Sequence, residues 1–309
     1  MIMPERLRSG KAREPRRTFR RTEWSVIASH PAHSLHSKPM RQTALTFRFM
    51  LVLWLIAPTL AAACELARQG DGRVAAVIDA RTLRLEDGRD IRLTGLAPLT
   101  SDHASVATAL LAALVIGRDV TIHAGSDAPD RYGRQHASLR LDINGPSVQA
   151  MLAAQGGALA DGHSHDACAA EIRAAEADAR QDRLGIWAGD AVIKNTERPG
   201  DILAGLGRFA IVEGRVVSVR RAGSVTYVNF GRRWTADFTA TISGRVLPQL
   251  AAAGLQPQAF EGQRLRVRGI IEQRGGSPTG SPTKSPRIEV IRPGQIEIVG
   301  ADVVAGASE

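Results

Sequence analysis

One residue of this chain whose side chain could bind or react with a ligand is Arg92, at the start of a loop. It opens the segment RLTGLAPLT, residues 92–100, which follows the Asp87-Gly88 turn and is predicted to be the end of a strand. A guanidinium group recognises phosphate or carboxylate through paired hydrogen bonds. The segment contains no acid that would serve as a general base or a metal ligand. It is therefore either an active site of unusual composition or part of one.

A second segment whose side chains could bind a ligand is DGHSHDAC, which contains His163, His165 and Cys168. Imidazole and thiolate groups at this spacing can bind zinc or copper. The alternative is a disulfide, because Cys64 and Cys168 are the only two cysteines of the chain. Two cysteines in an oxidising compartment are expected to pair, and a cysteine in a disulfide is not a metal ligand. We favour the disulfide.

The beginning of the chain predicts export. Residues 1–49 hold eleven Lys/Arg and three Asp/Glu, and the apolar run FMLVLWLIAPTLAAAC follows. That run is shorter than the roughly 20 residues of a membrane-spanning helix, and it ends in an Ala-x-Ala cleavage site at Ala61–Ala63. We expect 1–63 to be a basic leader and signal peptide, with Met40 as a candidate true start. The protein would be periplasmic or secreted, with no transmembrane span after cleavage; an uncleaved anchor and lipidation of Cys64 are the alternatives.

The remaining chain is nearly neutral, which limits the partners it can bind tightly. From residue 50 onward it holds 29 basic and 28 acidic residues, and 44% of the whole chain is apolar. An apolar content of this size predicts a folded protein. Tight nucleic-acid binding depends largely on neutralising phosphates, so the near-neutral charge argues against it.

Alternating apolar residues and turn signals predict the elements that position Arg92. Strands are expected over 73–79, 82–86, 89–96, 118–124 and 136–143, with helices over 104–117, 147–155 and 166–183. Ser101 or Asp102 would cap the first helix. On the last helix, Cys168 would face the core, and Glu176 and Arg180 would form an ion pair on the opposite side.

The C-terminal part predicts a second β domain. Five strands with a helix before the fourth are typical of a small barrel of oligonucleotide-binding (OB) type, interrupted by the flexible insert GGSPTGSPTKSP. The fold class is therefore α+β, mainly β, with two small five-stranded OB-type barrels. We place the first domain at 64–190, a polar linker at 191–207, the second barrel at 208–300 and a tail at 301–309.

Three segments together resemble the staphylococcal nuclease (thermonuclease) family: VIDARTLRLEDGRDIRLTGLAPL, DRYGRQHASLRL and CAAEIRAAEADARQDRLGIW. The similarity covers roughly residues 72–188 and implies a five-stranded barrel packed with three helices. In that family, two arginines and a calcium ion bind the scissile phosphate while a glutamate activates water. The resemblance implies that Arg92 and Arg134 are the phosphate-binding arginines. The alternative is that both are structural arginines that pair with Asp79 or Asp130, but their occurrence together at the family's positions favours the phosphate role.

The acidic half of the family's site is altered in this chain. Where the family has Asp-Gly-Asp-Thr, this chain has Asp79-Ala80-Arg81-Thr82, and Leu99 stands where the catalytic glutamate belongs. Asp79 stays a candidate metal ligand, and Asp102 is a candidate substitute base. Arg81 adds a positive charge that would favour nucleic-acid binding, or is simply solvated, and Tyr132 is a candidate nucleic-acid contact.

These observations predict an exported, thermonuclease-like protein that is weakly active or inactive and binds nucleic acid or another phosphate ligand. No cofactor is certain, and calcium is expected if the protein is active. The first alternative is an active calcium-dependent phosphodiesterase with a rearranged set of carboxylates. The second is a structural or protein-interaction module of the cell envelope. The oligomeric state is left open.

Overall fold

Five strands that follow the predicted alternation form the first barrel of the protein. In the computed structural model, residues 66–163, 166–189, 192–233, 235–273 and 285–300 are described. The predicted signal peptide, Cys64, His165, most of the Gly/Ser/Pro insert and the tail lie outside the described residues. The first-barrel strands are β1 (Arg68–Asp79), β2 (Thr82–Leu85), β3 (Asp90–Leu93), β4 (Asp119–His123) and β5 (Arg134–Arg140).

The first barrel is closed in the order β1-β2-β3-β5-β4, with β4 returning to β1. The β3–β5 pair is parallel and the other pairs are antiparallel. Alternate residues such as Leu83, Leu85, Ile91 and Leu93 point inward and are buried in one apolar core. Their outward neighbours on β3, which include Arg92, are free to form a site.

Three helices cover this barrel: α1 (Ser101–Val115), α2 (Val148–Ala154) and α3 (Asp166–Gln181). The prediction of a cap at Ser101 or Asp102 is wrong, because the N-cap of α1 is Thr100 and its side chain makes no capping hydrogen bond. Gly117 has a positive φ of 72° and follows the end of α1, as its lack of a β-carbon allows.

The second domain contains nine strands and two short helices among its described residues. The strands are β6 (Ile193–Asn195), β7 (Phe209–Arg215), β8 (Ser218–Ala222), β9 (Val225–Asn229), β10 (Thr239–Ser243), β11 (Arg264–Ile270), β12 (Glu272–Gln273), β13 (Pro286–Val290) and β14 (Ile296–Ile298). The helices are α4 (Pro199–Leu203) and α5 (Leu247–Ala252). Residues 193–195 and 199–203 of the expected linker therefore form a strand and a helix, and β6 pairs with β7.

The second domain repeats the strand order of the first. Its sheets have the orders β12-β13-β10-β9-β8 and β14-β11-β7-β6. Only Val216 and Val217 separate β7 from β8, and only Ile271 separates β11 from β12, so two bent strands pass from one sheet to the other. Both sheets enclose one apolar core, and β10 pairs in parallel with β13 as β3 does with β5. The prediction of an α+β protein with two OB-type barrels is confirmed.

The two domains are packed together within one compact unit, Pro58–Glu309. An apolar cluster joins Ala97, Leu159, Ala179 and Trp187 of the first domain to Ile211 of β7. Beside it, Arg268 of β11 forms two hydrogen bonds with Glu176 of α3, at 3.0 and 3.1 Å, and both side chains are buried. The expectation that Glu176 lies on an outer face of α3 is therefore wrong, because the second domain covers that face.

No helix within the described ranges has the length and apolar character needed to cross a membrane.

Candidate functional site

The parallel pairing of β3 and β5 brings the two candidate phosphate-binding strands together. Asp90 is opposite Arg134 and Arg92 is opposite His136 in the register of the two strands. Because side chains alternate across a strand, these four residues share the outer face of the barrel. Ile91 and Gln135 lie between them and are buried, as is Ala137, which follows His136. The fold therefore places Arg92 and Arg134 on one surface, as the resemblance implies.

Asp79, at the end of β1, is held by nitrogen and hydroxyl donors. Its Oδ1 accepts a hydrogen bond from the Arg81 amide at 2.7 Å, and Nη1 of Arg92 lies 3.2 Å from Oδ1 and 3.0 Å from Oδ2. The Thr82 hydroxyl donates to Oδ2 at 3.0 Å and itself accepts from Arg92 Nη1 at 2.6 Å. Burial raises the pKa of Asp79, but these partners outweigh it and hold the pKa below its ordinary value.

Arg81 is half-buried beside the same carboxylate. Its Nη1 donates to the carbonyl oxygen of Leu96 at 2.8 Å. Burial and the positive charge of Arg92 lower the pKa of Arg81 to about 10, and Arg134 contributes in the same direction. The three guanidinium groups are thus close enough to repel one another. We call Arg81, Arg92 and Arg134 the arginine cluster.

Asp130 holds the third arginine of this cluster. Its Oδ2 accepts hydrogen bonds from Nε and Nη2 of Arg134 at 3.0 and 2.8 Å, and lies 3.1 Å from Nε2 of His136. The amides of Tyr132 and Arg134 both donate to Oδ1. The hydrogen bonds from Arg134 hold the pKa of Asp130 well below its usual range. Both ion pairs that the structural interpretation of the arginines required, with Asp79 and Asp130, are present.

Tyr132 extends the arginine cluster toward solvent. Its side chain is 65% exposed, and the guanidinium carbons of Arg131 and Arg134 each lie 4.9 Å from the centre of its ring. This distance is within the range of a cation–π contact. An exposed aromatic ring flanked by cations offers a flat face to an unpaired base and positive charge to its phosphate.

The loop that would carry the catalytic acid is packed against the second domain. Leu99 contacts the apolar cluster that contains Ala97, Leu159 and Ile211. The backbone amide of Ala97 donates to the carbonyl of Leu159 at 2.8 Å, which fixes the start of this loop. The position aligned with the family's glutamate thus carries a side chain that packs on an apolar cluster and can neither activate water nor bind a metal.

Asp102, the candidate substitute base, has its hydrogen bond outside the arginine cluster. It is exposed in the first turn of α1, and its Oδ1 accepts a hydrogen bond from the Ser101 hydroxyl at 3.1 Å. It also lines a cavity of about 410 Å³ between the two domains. In the part of the chain that the structure describes, no hydrogen bond or ion pair joins Asp102 to Arg81, Arg92 or Arg134.

The described residues do not fit a calcium site of the family's kind. Calcium takes six to eight oxygen ligands, mostly from carboxylates. Asp79 already accepts hydrogen bonds from an arginine side chain, a backbone amide and a hydroxyl, and Arg81 stands where a second ligand is expected. Within the described ranges, no group of three His, Cys, Asp or Glu side chains is arranged to hold a metal ion. His165 and Cys64 lie outside those ranges.

Sequence reasoning gave no site role to His136, Thr82 or Asp161. The signal for His136 was its two-residue spacing from Arg134, which places both side chains on one face of a strand. Thr82 follows Arg81 directly and would have been found by asking what satisfies Asp79. Asp161 acts on Arg81 through its negative charge and had no local signal, because the fold brings it there from a distant segment.

Comparison with known proteins identifies one domain. Residues 84–189 match the family model described as staphylococcal nuclease homologue. The match includes Arg92, Leu99 and Arg134, and it begins after the Asp79-Ala80-Arg81-Thr82 segment that departs from the family's pattern. A search of curated proteins gave no match. Residues 84–189 therefore form a nuclease-like domain of the staphylococcal nuclease family.

Proposed function

We propose that this protein binds single-stranded nucleic acid or a similar phosphate ligand through its arginine cluster, and hydrolyses phosphodiesters weakly or not at all. The observation that carries the proposal is the combination of Arg92 and Arg134 on one face with an apolar residue, Leu99, at the position of the family's base. Phosphate binding needs the two arginines on one face. Hydrolysis needs a general base at the position that Leu99 occupies.

Binding is supported by charge, exposure and stacking geometry. The Arg92 and Arg134 side chains are 15% and 25% exposed, so both guanidinium groups are reachable but partly shielded from water. Both are engaged by carboxylates, so an incoming phosphate must compete with Asp79 and Asp130. This competition favours moderate affinity, and Tyr132 adds a stacking surface for a base.

Weak or absent hydrolysis is supported by the chemistry of the donors. A phosphodiester transition state requires neutralised equatorial oxygens and a positioned nucleophile. The arginine cluster supplies positive charge, whereas the Asp79 carboxylate is engaged by Arg92 and the Asp102 carboxylate accepts a hydrogen bond from Ser101 in its own helix turn. The step that the remaining side chains support is anion binding, because none of the described residues beside the arginine cluster is placed to deprotonate water.

The binding test uses the full chain and a fluorescent single-stranded oligonucleotide, with anisotropy measured over a range of salt concentrations. A charged hydrogen bond contributes about 1.5–3 kcal/mol, so Arg134→Ala should weaken binding about tenfold or more. The slope of log K against log salt should fall by about one. The matched control is Arg287→Ala, because Arg287 also pairs with a carboxylate, that of Glu272 at 2.9 Å, but lies in the second domain. Equal loss in both variants would contradict the assignment of the arginine cluster.

The hydrolysis test measures cleavage of DNA and RNA with calcium and with a chelator. We expect no calcium-dependent cleavage above that of Arg134→Ala. Cleavage that calcium stimulates and that Asp102→Ala or Asp79→Ala abolishes would establish the active phosphodiesterase instead. A protein that binds no phosphate ligand and is indifferent to changing Arg92 and Arg134 would be a structural or interaction module.

Export and the disulfide belong to the same proposal. Cys168 is 6% exposed on α3, which would let a bond to Cys64 fasten the start of the mature chain to the helix layer. On the loop-entropy model, closing a loop of about 100 residues stabilises by roughly 4–5 kcal/mol. Intact mass of the exported protein should show cleavage after Ala63 and no thiol that alkylates before reduction. A lipid mass on Cys64 would establish a lipoprotein, and an uncleaved N-terminus would contradict export by signal cleavage.

A further inference from the structure

The cavity beside Leu99 has the composition of a ligand site. It measures about 410 Å³ and lies between the α1 loop and the second domain, and we call it the Leu99 cavity. Its lining includes Leu99, Asp102, His103, Lys194, Arg208 and Phe209. A smaller cavity of about 300 Å³ shares Leu99, Arg208 and Phe209 with it, so the two form a continuous groove. Small-molecule sites typically enclose about 300–1,000 Å³.

Two cations of the Leu99 cavity have no partner among the residues that the structure describes. The side chains of Lys194 and Arg208 make no hydrogen bond or ion pair with any residue that the structure describes. This distinguishes them from the arginine cluster, where Asp79 and Asp130 already pair with the guanidinium groups. Asp102 contributes one negative charge, so the three formal charges leave the cavity with a net charge of +1. A ligand with a single negative charge matches this balance better than a dianion.

The apolar walls of the cavity are fixed by packing. Leu99, Val192 and Phe209 line the cavity and also pack on the buried cluster around Leu159 and Ile211. Because close-packed clusters resist collapse, these walls hold an apolar surface open between the two domains. An apolar body on the ligand would cover that surface, which water contacts unfavourably.

We propose that the Leu99 cavity binds an organic monoanion with an apolar body, its carboxylate or sulfonate held by Lys194 and Arg208. This site is additional to the arginine cluster and goes beyond the nucleic-acid proposal. Among the candidate phosphate-binding residues of the first barrel, none of Arg81, Arg92 and Arg134 lines it. The two proposals can therefore fail independently.

The test uses 8-anilinonaphthalene-1-sulfonate, a fluorescent aromatic monoanion, with the full chain. Its uncharged relative N-phenyl-1-naphthylamine serves as the apolar comparison. Replacing either cation by a shorter neutral amide, by Lys194→Gln or Arg208→Gln, should weaken binding of the sulfonate about tenfold and leave the uncharged dye unaffected. Phenylacetate should displace the sulfonate, whereas inorganic phosphate at equal concentration should not.

Two further variants make the test specific to the cavity. Arg245→Gln removes an exposed cation of the second domain outside the cavity and should leave binding unchanged. Ala204→Trp adds a large side chain to an exposed lining position and should block binding while thermal unfolding of the protein stays unchanged. Binding that is insensitive to Lys194→Gln and Arg208→Gln, or that falls equally with Arg245→Gln, would overturn the proposal. Oligonucleotide binding should be unaffected by all four variants.

Discussion

Asp130 is the single residue on which the geometry of Arg134 most depends. Its two oxygens accept hydrogen bonds from the Arg134 side chain and from two backbone amides of its own loop. These bonds, led by those from Arg134, lower the pKa of Asp130 relative to the unfolded chain. Asp130 therefore joins the loop before β5 to the arginine cluster, and its charge matters to both.

The depressed pKa of Asp130 predicts how stability depends on pH. A carboxylate whose pKa is lower in the folded state stabilises the protein above its unfolded pKa of about 3.9. That contribution is lost as the pH falls through the lower folded value. Asp130→Asn should therefore lower the free energy of unfolding at pH 7, and the difference from the unmodified chain should shrink as the pH falls below about 4. Urea denaturation between pH 7 and pH 2 measures this difference.

Asp127→Asn is the control for this prediction, since Asp127 is an exposed acid of the same loop that makes no ion pair or hydrogen bond with any residue that the structure describes. It should leave the unfolding free energy unchanged over the same pH range. A deficit for Asp130→Asn that persists or grows at low pH would show that Asp130 stabilises the loop by other means than its charge.

At the scale of elements, the loop between β3 and α1 decides which half of a nuclease site this domain keeps. Its first part pairs with residues 159–161, and Leu99 packs against the apolar cluster between the domains. Restoring the family's acid by Leu99→Glu should therefore not restore calcium-dependent cleavage. It should destabilise the protein by about 1–2 kcal/mol, because the packing of a partly buried leucine on the apolar cluster is lost.

Leu99→Gln separates the charge from the shape in this prediction. It loses the same packing but carries no charge, so the difference in unfolding free energy between the two variants isolates the effect of the carboxylate. Thermal unfolding and a cleavage assay of both variants check the prediction. Calcium-stimulated cleavage by Leu99→Glu that Leu99→Gln lacks would mean that the loop reaches the phosphate site after all.

Local sequence patterns predicted the strands and helices well, but they did not predict what those elements pack against. The strands from β1 to β5 and the helices from α1 to α3 follow alternation, turn residues and helical periodicity, all of which act within a few residues. The same patterns did not reveal that β6 and α4 form inside the polar linker, because β6 is stabilised by pairing with β7. Likewise, nothing local indicates that Leu99 contacts a second domain.

At the scale of the whole molecule, the contact between domains explains why the burial of several charged side chains could not be predicted from the sequence. Arg264, Arg266 and Arg268 alternate along β11 and, from sequence alone, would form a solvated face. Their side chains are instead 62%, 7% and 2% exposed, because α3 covers the end of that face. The Arg268 and Glu176 positions are therefore set by domain packing that single-strand periodicity cannot encode.

The Arg268–Glu176 pair also predicts how the two domains unfold. Both groups are buried, Arg268 donates to the Ala160 carbonyl at 2.9 Å, and the Ala160 amide donates to Glu176 at 2.6 Å. Breaking a buried pair leaves an uncompensated charge, so Glu176→Gln should lower the free energy of unfolding by about 3–5 kcal/mol. The double change Glu176→Gln with Arg268→Met should recover part of that loss, since no buried charge is left.

Chemical denaturation should show one transition for the unmodified chain and a less cooperative one for Glu176→Gln. The surface control Glu272→Gln should cost less than about 1 kcal/mol. Equal effects of Glu176→Gln and Glu272→Gln would mean that the apolar cluster alone holds the domains together.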